Sequence, residues 1–464
     1  MDAYINSVYY RRRTQWDLSM PSISSDPASC RLTDSNPRVR TIADLPPPRT
    51  VIDSYISKIV ERKLRSNNFH VLRWSLDSLE ETNGYMGSYH TLSITVRTGD
   101  KSEKLKFFAK TPPPTFSPQY DWLIISGTFK KEIRVYEELI PAMGNGIGHK
   151  WSVDYYHGKD MTIIVLEDAK ESGYVMPDKF LPFDEEHCLW MVKTLSAFHS
   201  RSLILDEKLR RSTGQTIADL YGDMLTEAGF IEGQLQAQKY LHACVVGART
   251  LVDLVEGLTD QERTRLKDGV AALILQMPKL VESSSKFRNL VCHRDIWANN
   301  IMFRRDSDGR PTGCYLIDYQ FIRHNPPAFD FLLSLYLNTS RAIRKAHFES
   351  FRDVYCDTMS AELAAEGLDM EGCLSRAEFV QSCEELVINS LTYSAANMQV
   401  MLLTKDAAQR YFALPSDEIE HVIYGDQRAE LVLSQCRSVK AYQTRIIEIL
   451  EEIKEHLPDN PSDC

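Results

Sequence analysis

Long apolar runs are missing from this chain. The longest, Met161–Leu166 and Phe329–Leu337, have the size of buried core elements. They fall short of the ~18 residues that a membrane span needs. A basic excess is missing too. The chain has 54 Lys+Arg against 64 Asp+Glu, a formal charge of -10 with His neutral. That balance argues against bulk nucleic-acid binding, which wants a basic footprint. Glycine (21) and proline (20) are too sparse for a collagen-like chain. None of the ten cysteines forms a CxxC pair, so a zinc ribbon is not expected. Their scatter suits reduced, mostly buried thiols. No H-E-x-x-H and no G-x-S-x-G occurs. His187 and His199 are too far apart for a metal pair, and His149 and His157 read as surface or structural. The opening MDAYINSVYYRRRTQW has no apolar stretch of the secretory kind. The cytoplasm is the expected location.

What is present is ordinary globular composition, 43% hydrophobic and 25% charged over 464 residues. That length suits two packed units or one bilobal enzyme. Residues 1–50 are rich in Ser, Pro, Arg and Asp, lack sustained periodicity and close on Pro46-Pro47-Pro48. They read as a flexible extension. Ile52, Tyr55, Ile56, Ile59, Val60 and Leu64 then fall on one helical face. The period changes to two at Leu72, Trp74 and Leu76, again at Leu92, Ile94 and Val96, and on a return strand Leu105, Phe107 and Ala109 that ends at Lys110. A helix is expected over Thr128–Leu139, stopped by Pro141, and a buried strand over Met161–Leu166. From Asp184, which can cap a helix, helix dominates. Strands Ile301–Phe303 and Cys314–Ile317 interrupt it. A small β-rich lobe over 51–168 therefore precedes a large helical lobe over 169–464, an α+β organisation.

The chemistry concentrates in Leu290–Phe303, LVCHRDIWANNIMF. His293-Arg294-Asp295, four residues and Asn300 fit H-R-D-x-x-x-x-N, the catalytic loop of kinase-type phosphoryl transfer. Asp295 at that position can accept a hydrogen bond from an attacking hydroxyl, and the Asn300 amide oxygen can ligate Mg²⁺. His293 reads as a support for the loop. On the next strand Tyr315-Leu316-Ile317 delivers Asp318, a second Mg²⁺ ligand between the phosphates of ATP. Lys110 ends a strand and can reach the α/β-phosphates, fixed by a helix glutamate. Glu132 is preferred over Glu137 and Glu138, which point to other faces. Gly84, Gly87 and Ser88, between two strands ahead of Lys110, make either a phosphate loop or a plain hairpin turn. Glu167 and Asp168 end a buried strand, either as an adenine-facing hinge or as an ordinary strand end.

In residue type and order these parts resemble the ecdysteroid kinase-like (CHK kinase-like) family, grouped with choline kinases and aminoglycoside phosphotransferases in the protein-kinase-like fold. The resemblance rests on His293, Asp295, Trp297, Asn299 and Asn300 in an HxDxW…NN loop. It extends to Ile317-Asp318-Tyr319-Gln320, to Pro327-Ala328-Phe329-Asp330, to Ala109-Lys110 and to Phe129-Lys130-Lys131-Glu132. It covers about residues 52–420 and is most specific in the C-terminal half. Arg294 stands where many members carry glycine, and Tyr319 replaces a frequent phenylalanine. The glycine-rich turn matches least well. The resemblance implies a bilobal protein-kinase-like fold, ATP and Mg²⁺ as cofactors, and a small-molecule hydroxyl as acceptor, with an ecdysteroid or another apolar alcohol ahead of a cationic choline or aminoglycoside. It implies no nucleic-acid, membrane or protein partner.

A protein kinase is the sharpest rival. Only eleven residues separate Asp318 from Asp330, too few for an activation segment with its phosphosite and A-P-E element. A non-catalytic pseudokinase module is the other. Lys110, Glu132, Asp295, Asn300 and Asp318 are all present, so no lesion in the sequence supports it.

Overall fold

The computed structural model describes residues 49–458 apart from 80–85, 116, 149 and 413–416. The expected extension lies outside them except for Arg49 and Thr50, which open the first helix, and so do Gly84 and His149.

Alternation of apolar residues builds the small lobe. Five antiparallel strands form one sheet in the order β1-β2-β3-β5-β4: β1 His70–Ser78, β2 Ser88–Thr98, β3 Lys101–Thr111, β4 Tyr155–Lys159 and β5 Ile163–Glu167. The register pairs Ile94 with Leu105 and Leu92 with Phe107. These side chains point to one face and meet Ile52, Ile56, Ile59 and Val60 of the helix Arg49–Leu64. A period of two faces a period of 3.6, and both apolar stripes leave water together. The same pairing sets Tyr89 opposite Lys110 on β2 and β3.

The helix expected over Thr128–Leu139 is divided. A separate helix, Pro118–Ser126, is capped by Ser117 and closed by Gly127 at φ 64°, and Thr128–Arg134 follows at once. The chain then widens into a π turn, Val135–Leu139. Pro141 does not stop the helix. It sits in the first turn of Ile140–Met143, where a missing N–H is tolerated, and Gly144 at φ 74° ends the run.

The large lobe is helical, as the patterning predicts. Asp184 caps Glu185–Thr213 by accepting from the His187 N–H at 2.9 Å. The helices Pro327–Tyr336 and Arg376–Met401 pack beneath the catalytic segment. That segment is held by a three-stranded sheet, β6 Tyr174–Val175, β8 Ile301–Arg305 and β9 Pro311–Leu316, and by the pair β7 Leu290–Cys292 with β10 Arg323–Asn325. The two- and three-residue strands β6, β7 and β10 were not expected, because so short a run carries no period. Leu316 N–H donates to Trp151 O at 2.9 Å and joins the segment before β4 to β9. The eight cysteines among the described residues are all unpaired. No described helix is long and apolar enough to cross a membrane.

Candidate active site

A cavity of about 410 Å³ opens between the sheet and the helical lobe. On its sheet side Lys110 ends β3 with its ammonium 2.7 Å from Glu132 Oε2 and 3.2 Å from Asp318 Oδ1. Lys110 and Glu132 are both buried. Burial works to strip the Lys110 charge, but the Asp318 and Glu132 carboxylates outweigh it and hold the ammonium well above the ordinary lysine range. Burial pushes Glu132 upward against the pull of Lys110. Glu137 and Glu138 turn instead to Arg62 and Arg134.

Backbone bonds fix the loop. His293 Nε2 meets Ile317 O at 3.0 Å, and its Nδ1 accepts from the Asp295 N–H at 3.3 Å. Both contacts suit a neutral ring protonated at Nε2, and burial holds this imidazole below the usual histidine range. Asn300, in the turn Ala298–Asn300, donates its amide N–H groups to Asp295 O at 2.9 Å and Asp295 Oδ2 at 2.7 Å. The Asn300 side-chain Oδ1 accepts no hydrogen bond from the described residues, while the backbone oxygen accepts from the Ile317 N–H at 3.0 Å. Asp318 holds φ 67° at the end of β9 and is fixed from beside by Gln320 Nε2 at 3.4 Å. Burial, with the nearby Asp318 charge, pushes the Asp295 carboxyl up to about 7. The Asp318 charge opposes ionisation of Asp295, and a cation beside them would relieve that repulsion. Asp318 and the Asn300 Oδ1 supply hard oxygen donors of the kind that Mg²⁺ takes alongside phosphate. The residues present fit that ion.

Beneath the loop Asp330 is buried and accepts from the backbone N–H groups of His293 (2.5 Å) and Arg294 (3.0 Å), and it meets His199 Nε2 at 3.3 Å. Burial opposes its ionisation, but the His199 bond and neighbouring positive charge keep the carboxyl below the usual range. His199, Cys292 and Asp330 bring ligand atoms within 4.8 Å of one another. Their atoms are already engaged with the loop, with Tyr355 Oη and with Asn325 O, so the cluster anchors the loop.

The other expected residues fall in different places. Gly87 packs on the lysine: a Cβ there would lie 3.1 Å from Thr111 O and 3.3 Å from Lys110 Cγ. Ser88 starts β2 opposite Thr111, and the cavity wall is formed by their neighbours Met86 and Tyr89. Glu167 and Asp168 line the cavity. The Glu167 carboxylate is taken by Lys150, Ser172 and the Asp154 N–H, and Asp168 caps the turn Ala169–Ser172. Phe108, Leu166, Met176, Met302 and Ile317 make an apolar slot beside them.

Sequence reasoning missed two parts of the site. Lys131, next to Glu132, is buried and donates to Thr226 O (3.0 Å) and Ile322 O (2.8 Å), so it ties the glutamate helix to the segment after Asp318. The far wall is built by Phe230, Tyr240, Tyr393, Asn397, Val400 and Tyr424. These come from three separated stretches with no motif to mark them. The Phe230–Tyr240 and Phe230–Tyr393 ring pairs lie 6.2 and 5.9 Å apart, and Tyr240 Oη donates to Asn397 Oδ1 at 3.1 Å.

With this geometry in place, comparison with known proteins decides the family. The model of the ecdysteroid kinase-like family matches residues 81–367, more than half of the chain. The chain belongs to the ecdysteroid kinase-like family. It is thereby a member of a phosphotransferase-type family acting on small molecules, with the bilobal α+β fold related to protein kinases. The ecdysteroid kinase-like match spans Lys110, Glu132, the 293–300 loop and Asp318. No curated protein sequence matches. Among solved structures, a GDP and kanamycin complex of an aminoglycoside 2″-phosphotransferase is similar at 12% identity, over 87% of this chain and 99% of that one, with a TM-score of 0.35. A GDP complex of the wild-type aminoglycoside 2′-phosphotransferase-IIIa is similar at 11% identity, over 88% and 99%, with a TM-score of 0.32.

Proposed function

We propose that the protein transfers the γ-phosphoryl group of ATP, with Mg²⁺, to a hydroxyl of a small apolar molecule, an ecdysteroid being the leading candidate. The observation that carries the reading is the convergence of Lys110–Glu132, Asp318 and Asp295–Asn300 on one cavity. Bound Mg²⁺ supplies positive charge that offsets charge on the transferring group. Lys110, held by Glu132, orients the α- and β-phosphates, and the apolar slot by Leu166 receives the adenine. Asp318 and the Asn300 carbonyl hold the metal. Asp295 accepts the hydrogen bond of the acceptor hydroxyl, aims it at the phosphorus and takes its proton. His293 and Asp330 keep Asp295 in place. Gly87 shapes the approach to Lys110. In this reading the enzyme works in the cytoplasm and needs no protein partner.

The apolar and aromatic far wall supports an apolar acceptor over a sugar or a peptide. A cationic acceptor of the choline or aminoglycoside type finds Arg294 and the Arg323–Glu227 pair on that wall, and Arg294 repels it. Asp330, Trp190, Tyr221 and Tyr336, a carboxylate and rings of the kind that cage a cation, do not line the cavity. The purified full-length chain with labelled ATP and Mg²⁺ should phosphorylate an ecdysteroid and leave choline and kanamycin untouched. Phosphorylation of the cationic pair alone contradicts the acceptor. No transfer to any alcohol, with Mg²⁺-ATP still bound, favours the pseudokinase reading.

A further inference from the structure

Arg294 is 3% exposed, yet among the described residues its guanidinium makes no ion pair. Nη1 donates to Asn325 Oδ1 at 3.0 Å, and Nε has no acceptor. The group lies over the Phe329 ring at 4.1 Å and the Tyr393 ring at 5.5 Å. These partners belong to the helical lobe, so the side chain is directed to the far wall, away from Lys110. The backbone at Arg294 holds φ 71°, a conformation in which glycine is unstrained and arginine is not. Backbone strain and a buried guanidinium without an ion pair among the described residues meet in the residue before Asp295, on the cavity wall.

The neighbours do not neutralise it. Arg323 lines the same wall and is paired with Glu227, and its Nη2 donates to Val281 O. Lys131 lies behind them, bonded only to carbonyls. Burial lowers Lys131 to about 7, Glu227 opposes that shift, and the two arginines add to it. Asp330, the other nearby carboxylate, is spent on two backbone amides and His199. Three basic side chains thus face two carboxylates, Glu227 and Asp330, beside a wall that is mainly aromatic and apolar. A buried guanidinium that lacks an ion pair is costly, and an oxyanion lowers that cost through a charge-assisted bond.

We propose that Arg294, supported by Arg323, is a subsite for an oxyanion carried by the acceptor, a carboxylate or sulfate on an apolar hydroxylated body. The inference rests on the phosphotransfer reading and moves the preferred acceptor from a neutral apolar alcohol such as an ecdysteroid to one that also carries an acid.

A matched pair of probes tests it: cholate, a hydroxylated steroid acid, and its neutral methyl ester. Binding of each to the full chain is measured with Mg²⁺-ATP present, and phosphate transfer is followed in the same samples. The wild type should bind cholate about tenfold tighter than the ester. Arg294→Gly suits the backbone and should bring the two within about twofold, whereas Arg294→Lys should keep part of the preference. Mg²⁺-ATP affinity, measured separately, reports whether each variant is folded. Equal binding of the two probes, binding of neither, or a full preference kept by Arg294→Gly would overturn the subsite. A preference that vanishes in Arg294→Gly while neither probe is phosphorylated upholds the subsite and fails the phosphotransfer reading. Equal binding with transfer to both does the reverse.

Discussion

The two ends of the cavity are built by opposite means. At the sheet end each charged group is held by a side-chain partner: Lys110 by Glu132 and Asp318, Asp295 by the Asn300 amide. At the helical end single side chains from 230, 240, 393–400 and 424 make a wall of rings, and charge is left over at Arg294. The contrast follows from the task proposed for each end. A triphosphate and its metal impose one arrangement of charges, and the residues that meet it must be held against one another. An apolar acceptor asks only for shape and an anchor or two, which many combinations of helix positions supply. Substitutions at the two ends should therefore separate in kinetics.

Asp295→Asn should have the largest effect. Turnover should fall by several orders of magnitude while Mg²⁺-ATP binding persists, because positioning and proton acceptance are lost together. The pH profile gives an independent sign. The Asp295 carboxyl is pushed up to about 7, and only its deprotonated form can take the proton. The kcat/KM of the wild type should therefore drop as pH falls below about 7. A flat profile from pH 5 to 8, or residual turnover within about threefold of wild type, would remove Asp295 from this role.

Asp330→Ala probes what both ends share. It leaves two buried N–H groups and His199 without their acceptor, and should cost about 3–5 kcal/mol of stability. The sign of the linkage follows from its depressed pKa. The contribution is present above the ordinary aspartate range and is lost as pH falls through the lower folded value. Thermal melts of wild type and variant should thus converge in acid. A melting point unchanged at neutral pH would show that the loop holds itself.

The sheet end has its own test. Lys110→Met should impair phosphate positioning, and Glu132→Gln should give a milder form of the same defect. The double variant should be no worse than Lys110→Met, because both act through one ammonium position. Losses that simply add would mean that the 2.7 Å contact is not what fixes the lysine. The acceptor KM should move far less than the nucleotide KM in all three.

How legible each end was in the sequence tracks the same contrast. His293, Asp295, Asn300 and Asp318 lie within 26 residues, so local spacing alone set their order and roles. Lys110 and Glu132 were readable because one strand and one helix turn fix both. The separate helix Pro118–Ser126 ahead of Gly127 and the π turn Val135–Leu139 were not readable, since apolar spacing marks neither. Gly87 fits a phosphate loop by order, but its role in this fold is contact with the lysine stem. Lys131 was invisible because its partners are carbonyl oxygens 95 and 191 residues away, and no side-chain pattern records a backbone acceptor. The far wall combines segments more than 150 residues apart whose aromatics look like ordinary core.

Tyr240→Phe should give the smallest effect and the cleanest separation of the two ends. The ring keeps its place beside Phe230 and Tyr424, so the apolar wall stays whole. What goes is one hydrogen bond, from Tyr240 Oη to Asn397 Oδ1 at 3.1 Å. Asn397 stays tied to Tyr393 O through its amide nitrogen, so its position holds and only its carbonyl loses a donor. A net loss of about 1 kcal/mol of stability is the expectation for such a bond, and the acceptor KM should rise by no more than about fivefold. The nucleotide KM should not change, because Tyr240 shares no bond with Lys110, Asp318 or Asn300. A shift in nucleotide KM as large as that in acceptor KM would mean that the two ends act as one site and that the contrast drawn between them is false.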